Sequence, residues 1–284
     1  MHMPQNILAE TELRHLAAIP YQLVSPSANA PIIGIFQDSM LGSYLFTKSH
    51  RKISPREAMN LLMAYKNVDV EAIRKNQKDL SNFDVLSQIL SPITLKYKTN
   101  LFDESEDAET SNNVLEIRNG TYVRGQIDKS VLGGGSKGII HRICNDFGNM
   151  AASNFIDDIQ NVITEFMKTF SFSVGISDLI ANKKTNDEIT QVISSKKLEV
   201  QSVIDKIHLG IFENNTSAST MSEFESTLNG ILNKATDQAG SIGKKSLGKN
   251  NRFVQIVTSG SKGSPTNISQ MISCLGQQNV DGKR

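Results

Sequence analysis

Two rows of apolar residues between positions 185 and 240 restrict the fold more than any other feature of the sequence. Both rows recur at spacings of three and four residues, which is the pattern of an amphipathic helix. Their members are Ile189, Ile193, Val200, Val203 and Ile207 in the first row, and Met221, Phe224, Leu228, Ile231 and Ala235 in the second. Because each row is one narrow seam, we expect the two helices to pack as an antiparallel hairpin about 30 Å long.

Capping signals indicate where these two helices begin and end. Thr185 and Glu188 have the spacing of a capping box, in which two side chains satisfy free N–H groups of the first helical turn. Thr220 and Glu223 repeat that spacing. A glycine just after each row suits the left-handed conformation in which many helices end. The expected first and last positions are Thr185 and Gly210 for one helix, and Thr220 and Gly240 for the other.

Residues 1–145 mix helix and strand signals and predict a separate domain. A helix is expected to begin after Ser54, because Pro55 suits the first helical position and Glu57 completes a capping box. The apolar side of this helix would be formed by Met59, Leu62 and Met63. Asn119-Gly120 stands between two runs of β-prone residues, which predicts a β-hairpin.

The remaining segments complete an α+β chain of three parts. In the first part we expect a short helix at 6–18, with Leu13, Leu16 and Ala17 on one face, a strand over Ile32–Phe36, and an exposed, mobile loop at the acidic stretch 103–113. Residues 146–250 form the helical second part. Its first helix is predicted from Phe155, Ile159, Ile163, Phe166 and Phe170. Residues 251–284 form a basic third part.

Composition and charge exclude several classes of protein. Lys and Arg total 30 and Asp and Glu total 29, so the chain is not a polycation that binds nucleic acid through bulk charge. From Ser241 onward, however, Asp281 is the only acidic residue among seven basic ones. No stretch has the length of about 18 apolar residues that a membrane span needs, and the start lacks the pattern of a signal peptide.

Few side chains belong to a recognisable catalytic or metal-binding motif. The cysteines, Cys144 and Cys274, are far apart and are expected to be free buried thiols. The five histidines lack paired-ligand spacing, so no metal site is assigned. Asp128, Asp157, Asp158 and Asp178 are expected to be dispersed, solvated acids.

The strongest local candidate for a binding site is TSGSKGSPTNISQM, residues 258–271. Small residues around Lys262 would leave backbone N–H groups accessible and let a phosphate approach the ammonium group. The segment has no Walker A pattern, and a flexible surface turn would show the same composition. GGGSKG around Lys137 has the same two interpretations. On the residues alone, the chain is a two-part protein with a basic tail.

Several longer motifs resemble one family. They are HMPQ at 2–5, LVSPSANAPIIGIFQD at 23–38, GQIDKSVLG, GGGSKGIIH, FSVGISDLIA, and GSKGS followed by NISQM and GQQNVDGKR within 260–284. In this order they resemble the largest subunit of multisubunit DNA-directed RNA polymerases, of the RNA polymerase II type or its homologues in large DNA viruses. The resemblance spans essentially the whole chain.

The resemblance implies a fragment rather than a complete subunit. In the family, an aspartate-rich DxDxD loop that holds catalytic Mg²⁺ precedes the HMPQ-like segment, and no such run occurs in this chain. The bridge helix and trigger loop would follow its last residues. The chain is therefore expected to be the pore and funnel region, which lines the secondary channel for nucleotide entry. It would bind no Mg²⁺ itself and would be inactive alone.

The resemblance also implies roles for individual residues. Lys262 would contact the phosphates of incoming nucleotide or of leaving pyrophosphate, and Gln37 and Asp38 would lie at the active-site floor. The hairpin at 185–240 would form the funnel rim, where transcript-cleavage factors approach. The residues expected to face the secondary channel and the bridge helix are Asn267, Gln277, Gln278, Lys283 and Arg284. Pro265 stands where the family pattern suggests a bulkier apolar residue.

Partners and location follow from the same resemblance. The expected partners are the second-largest polymerase subunit and other subunits, template DNA, the RNA transcript, nucleoside triphosphates and a transcript-cleavage factor. The expected location is the nucleus for a cellular protein, or host cytoplasm or virion for a viral one. The alternative is a stand-alone binding or regulatory protein that retains the pore and funnel fold without catalysis.

Overall fold

The computed structural model describes residues 3–75, 80–214 and 219–281. The chain forms two compact units: Met1–Phe172 with Thr258–Ser261, and Ser173–Val257 with Lys262–Arg284. Helices and small sheets occur together, which confirms the α+β class. The helices of the first unit are α1 (Ile7–His15), α2 (Gln37–Phe46), α3 (Pro55–Leu61), α4 (Val70–Lys75), α5 (Asn82–Ile89), α6 (Lys129–Leu132), α7 (Ile139–Phe147) and α8 (Asn149–Phe170). Its strands are β1 (Val24–Ser25), β2 (Ala30–Pro31), β3 (Leu95–Lys98), β4 (Val114–Arg118) and β5 (Thr121–Arg124). The helices that follow are α9 (Lys183–His208), α10 (Thr220–Ser246), α11 (Arg252–Thr258) and α12 (Pro265–Ile272).

Helix α8 is the centre of the first unit. It packs against α2, α3, α5 and α7, and the residues that it buries include Phe155, Ile159, Ile163 and Phe166, as its apolar spacing predicted. The core around it is mostly aliphatic, since the chain contains no Trp. Because α8 belongs to this core, the first unit extends to Phe172, past the boundary expected at 145. That boundary, drawn for functional domains, stays a prediction.

The predicted β-hairpin is confirmed. Strands β3, β4 and β5 form an antiparallel sheet, and Asn119 and Gly120 join β4 to β5 with φ angles of 44° and 78°. Both angles are left-handed, which is the geometry of the tight turns that Asn-Gly favours. The sheet buries Leu115, Ile117 and Tyr122, and its strand β5 packs against α5.

The prediction of a strand over Ile32–Phe36 is wrong. The strand there is β2, which ends at Pro31 and pairs with β1. Beyond it, the N–H of Ile35 donates to the carbonyl of Leu132 over 2.9 Å, a single bond to a helix end. An apolar run forms a strand only when another strand lies beside it, and no strand pairs with this run in the part of the chain that the structure describes.

Two helices of the first unit bury different faces from those expected. α1 buries no residue, and the three members of its expected apolar face are exposed, namely Leu13, Leu16 and Ala17. α3 begins after Ser54 as predicted and buries Ala58 and Leu61. Of its expected apolar residues, Leu62 is buried, while Met59 and Met63 are exposed. The backbone N–H of Glu57 donates to the Ser54 hydroxyl over 3.2 Å. The Glu57 carboxylate instead pairs with Arg51, so the capping box is half formed.

The acidic stretch 103–113 makes more contacts than its composition suggests. The guanidinium of Arg124 donates to the carbonyls of Ala108, Glu109 and Ser111 and also pairs with the buried carboxylate of Glu116. Hydrogen bonds from Arg118 and Arg124 lower the pKa of Glu116. The expected exposure of this loop is confirmed for most of its residues, and its mobility stays a prediction.

The helical hairpin is confirmed in the second unit, although the expected start of α9 at Thr185 and the expected end of α10 at Gly240 are wrong. α9 begins two residues before Thr185, and Asn182 caps it by accepting from the Thr185 N–H over 2.8 Å. α10 is capped by Ser219 and continues beyond Gly240 to Ser246. Gly210 does end α9: its N–H donates to Ile207, and that of Ile211 donates to Lys206.

Gly240 does not end α10 because it serves packing instead. α12 lies against α10 at Gly240 and Gly243, where the absence of side chains lets the two helices approach. The hydroxyl of Ser273 donates to the Ala239 carbonyl over 2.8 Å, and that of Ser269 to the Gly240 carbonyl over 3.3 Å. In the part of the chain that the structure describes, no helix is both long and apolar enough to cross a membrane.

The two free cysteines should differ in reactivity. Cys144 is buried, burial raises the pKa of its thiol, and the S–H donates to Asn149 over 2.9 Å. Cys274 is half-buried rather than buried, contrary to expectation. Because the thiolate is the nucleophile, we expect a disulfide reagent at neutral pH to modify Cys274 well before Cys144. Peptide mapping after short exposure checks this, and equal labelling of both thiols would contradict it.

Candidate functional site

Lys262 lies in the loop between α11 and α12 and its side chain is exposed. Among the described residues, no carboxylate forms an ion pair with its ammonium group. The next residue, Gly263, has a φ of +79°, a left-handed conformation that suits glycine. The chain thus reverses next to an uncompensated positive charge.

The start of α12 keeps this loop in a defined shape. The N–H of Ser264 donates to Asn267 Oδ1 over 2.7 Å, and the N–H of Asn267 donates to Ser264 Oγ over 3.3 Å. Pro265 occupies the first helical position, where its missing N–H costs nothing. Asn267 therefore has a structural role as a helix cap, and its predicted contact with the channel stays a prediction.

Gln277 and Gln278 follow α12 in a segment that belongs to no helix or strand. Gly276 sits against Thr236 of α10 so closely that a Cβ would collide with that side chain. Gln278 is exposed, and its amide donates to the Leu275 carbonyl over 3.1 Å. Lys283 and Arg284, also predicted as channel residues, lie outside the described residues.

Gln37 and Asp38 lie at the start of α2 in the first unit, and both are exposed. Gln37 has a φ of +51°, which is uncommon for a residue with a side chain. Its carbonyl accepts a hydrogen bond of 2.7 Å from the Ser261 hydroxyl. Asp38 borders an open cleft of about 330 Å³, together with Ser39 and Lys168.

The segment Thr258–Ser261, which immediately precedes Lys262, is held by residues that sequence reasoning missed. Ser259 is fully buried, and its carbonyl accepts from the Lys129 N–H over 3.1 Å. Gly260 has a φ of +76°, and a Cβ there would be 2.5 Å from Lys129 Cβ. The only sequence signal was the glycine itself, since Lys129 is distant along the chain.

Asp128 fixes the position of the neighbouring Lys129 backbone. This carboxylate is 2% exposed and not solvated as expected. It caps α6 by accepting from the Ser130 N–H over 2.8 Å, and it also accepts from the Asn100 N–H over 3.1 Å. Burial raises its pKa, while the hydrogen bonds from Ser130 oppose that rise. Asp178 is not freely solvated either, because it pairs with Arg252 at 3.6 Å.

The comparisons with known proteins identify the family. The family description "RNA polymerase Rpb1, domain 3" matches residues 22–179, which is more than half of the chain. The chain belongs to the RNA polymerase Rpb1 family. The next Rpb1 description, domain 4, matches residues 203–284. The resemblance of the motifs to a polymerase largest subunit is therefore confirmed.

A named relative supports the same assignment. DNA-directed RNA polymerase II subunit RPB1-B of Trypanosoma brucei brucei is 29% identical over 286 residues. The match covers 100% of this chain and 16% of that relative, so the chain spans about a sixth of the length of the curated relative. Within the described residues of this Rpb1-family chain, no three His, Cys, Asp or Glu side chains come together as a metal site would require.

Proposed function

We propose that this chain is the part of a DNA-directed RNA polymerase largest subunit that lines the secondary channel through which nucleotides enter. The observation that carries the proposal is the match to two successive Rpb1 domains, in order, along most of the chain. The name of the trypanosome relative supports an enzyme of the RNA polymerase II type. No observation favours a stand-alone regulatory protein.

The chemistry of nucleotidyl transfer would be supplied by other parts of the subunit. Two-metal phosphoryl transfer requires clustered carboxylates that hold Mg²⁺. The described residues provide no such cluster, so they do not fit that role. We therefore infer that Mg²⁺ is bound outside this chain and that the isolated chain does not synthesise RNA.

The contribution of this chain would be electrostatic. The Lys262 ammonium is exposed, lacks an ion-pair partner among the described residues, and lies on a loop fixed by a helix cap on one side. A charge held in place lowers the energy of a phosphate group that approaches it. We assign Lys262 to the phosphates of incoming nucleotide or leaving pyrophosphate. The proposed channel residues are Asn267, Gln277, Gln278, Lys283 and Arg284, with Gln37 and Asp38 at the active-site floor.

The wider assignment follows from the same family. We propose the second-largest subunit, the other polymerase subunits, template DNA and the transcript as partners, and nucleoside triphosphates as ligands. The α9–α10 hairpin is proposed as the place where a transcript-cleavage factor approaches. A nuclear location is proposed from the RNA polymerase II relative.

Lys262→Ala in the assembled polymerase should raise the nucleotide KM or lower the elongation rate. Loss of one charge-assisted contact to a phosphate should cost about 1–3 kcal/mol, which corresponds to roughly 5- to 150-fold in KM. The measurement is elongation rate as a function of nucleotide concentration.

Lys244→Ala is the matched control for this variant. Lys244 is also an exposed lysine of the second unit, in the last turn of α10, and it has no assigned phosphate contact. It should leave the elongation kinetics unchanged. If Lys262→Ala leaves them unchanged as well, the phosphate role is wrong. If both variants slow elongation equally, the effect is one of general charge and not of Lys262.

A further inference from the structure

Ser261 stands directly before Lys262, and both of its hydrogen-bond donors are engaged within the first unit. Its hydroxyl donates to the Gln37 carbonyl over 2.7 Å, although the two residues are 224 positions apart in the sequence. Its N–H donates to Ser259 Oγ over 3.3 Å. The three residues belong to the same compact unit. Ser261 therefore holds the backbone immediately before the lysine by two contacts.

The two residues that precede Ser261 have little conformational freedom. Ser259 is fully buried, and its carbonyl accepts from the Lys129 N–H over 3.1 Å. Gly260 has a φ of +76° and lies so close to Lys129 that a Cβ would overlap that side chain. A left-handed residue in such close contact cannot rotate without moving its neighbour. The chain thus reaches Ser261 in a fixed conformation, and the serine hydroxyl determines the direction in which it continues.

The acceptor of the Ser261 hydroxyl is constrained as well. Gln37 has a φ of +51°, which is unfavourable for a residue with a Cβ. Such a conformation persists only where the surrounding structure stabilises it. Gln37 begins α2, which packs against the central helix α8. The Gln37 carbonyl is therefore a fixed anchor for the hydroxyl.

The Lys262 ammonium depends on its backbone for its placement. The side chain is exposed, and no carboxylate among the described residues forms an ion pair with it. A lysine side chain is a flexible four-carbon stem, so without a partner it samples many rotamers. The region that its ammonium reaches is then set by the position and direction of the backbone from which the side chain extends.

We propose that Ser261 is the positioning residue for Lys262. This inference rests on the proposed contact of Lys262 with the phosphates of nucleotide or pyrophosphate. Ser261 itself touches no phosphate; its hydroxyl holds the backbone from which the ammonium group is presented. A charge that is in place before the phosphate arrives requires no reorganisation when the phosphate binds. Loss of the hydroxyl would release that backbone and lower the fraction of time in which the ammonium is correctly placed.

The test is the elongation rate of the assembled polymerase as a function of nucleotide concentration. Ser261→Ala should change the same kinetic parameter as Lys262→Ala and in the same direction, but only by about two- to fivefold, the range for one neutral hydrogen bond. Ser261→Thr keeps the hydroxyl and should behave like the unaltered enzyme. A loss of stability alone would reduce the amount of assembled enzyme without changing how its rate depends on nucleotide.

The double variant shows whether Ser261 acts through Lys262. In a Lys262→Ala background no ammonium is left to position, so Ser261→Ala should have no further effect. Additive effects of the two substitutions would overturn the inference. Normal kinetics of Ser261→Ala beside an altered Lys262→Ala would overturn it too, and would leave the phosphate role of Lys262 intact. Normal kinetics of Lys262→Ala would overturn the phosphate role and the inference together.

Ser273→Ala is the matched control. Its hydroxyl also donates to the carbonyl of a residue distant in sequence, Ala239, over 2.8 Å, and it has no assigned contact with nucleotide. This variant should leave the elongation kinetics unchanged. Equal effects of the Ser261 and Ser273 variants would contradict the inference, because the kinetics would then respond to the loss of any such hydroxyl. A threonine variant at 261 that behaves like the alanine variant would contradict it as well, since the hydroxyl would not be the cause.

Discussion

Phe166→Ala should reduce the free energy of unfolding of the first unit by about 3–5 kcal/mol, the range for removal of a buried aromatic side chain. Phe166 is 3% exposed. Its ring meets Phe46 edge-on at 5.0 Å between centroids and stacks on Phe170 at 5.0 Å. Truncation would remove both ring contacts and leave a cavity between α2 and α8. Urea unfolding of the full chain, followed by circular dichroism, measures the loss.

Phe170→Ala is the control for that variant. Phe170 has the same side chain, lies on the same helix and shares the stacking contact, but it is 46% exposed. Its truncation should cost only about 1 kcal/mol, because little apolar surface returns to water. Equal losses in the two variants would show that the ring stack, and not the burial of Phe166, carries the stability.

Features that depend on neighbouring residues could be predicted from the sequence. The turn at Asn119-Gly120 forms because both residues tolerate positive φ, and this property follows from the two residue types alone. Gly210 ends α9 for a similar local reason. The apolar spacing along α8 likewise predicted the face that becomes the core, since the pattern and the helix have the same period.

Features that depend on distant residues could not be predicted in this way. The two long helices are capped by Asn182 and Ser219 and not by the expected Thr185 and Thr220. Which polar residue caps a helix depends on where the preceding chain arrives. The apolar run Ile32–Phe36 lacked a neighbouring strand, which only the tertiary structure decides. α1 has exposed apolar residues for which the described chain offers no cover.

The candidate site shows the same division. Exposure of Lys262 was predictable from the small polar residues around it. The contact of Lys129 with Ser259 and Gly260 was not, because the partners are remote in the sequence and neither side chain type suggests the other. Burial of Asp128 was also hidden, since its acceptors are satisfied by backbone N–H groups that any residue carries. A site that is held together by backbone hydrogen bonds is difficult to recognise from residue types in the sequence.

Gly260→Ala should disturb the segment before Lys262 more than removal of the lysine itself. The residue is held at a φ of +76°, and a Cβ would be 2.5 Å from Lys129 Cβ, which belongs to the same compact unit. Left-handed strain and overpacking together should cost about 2–5 kcal/mol. The Lys129 N–H donates to Ser259, so its hydrogen exchange in the full chain should become faster by a factor that reports this cost.

Gly248→Ala is the matched control, since no atom of the described residues other than its chain neighbours lies within 4 Å of a Cβ at that position. It should leave the exchange of the Lys129 N–H unchanged, and an equal effect of both glycine variants would contradict the argument. Lys262→Ala separates the effect of the backbone position from the effect of the lysine charge. It removes the ammonium group without touching Gly260, so it should change elongation kinetics in the assembled enzyme while exchange at Lys129 stays normal. Gly260→Ala should change the exchange first, because it moves the backbone from which the charge is presented.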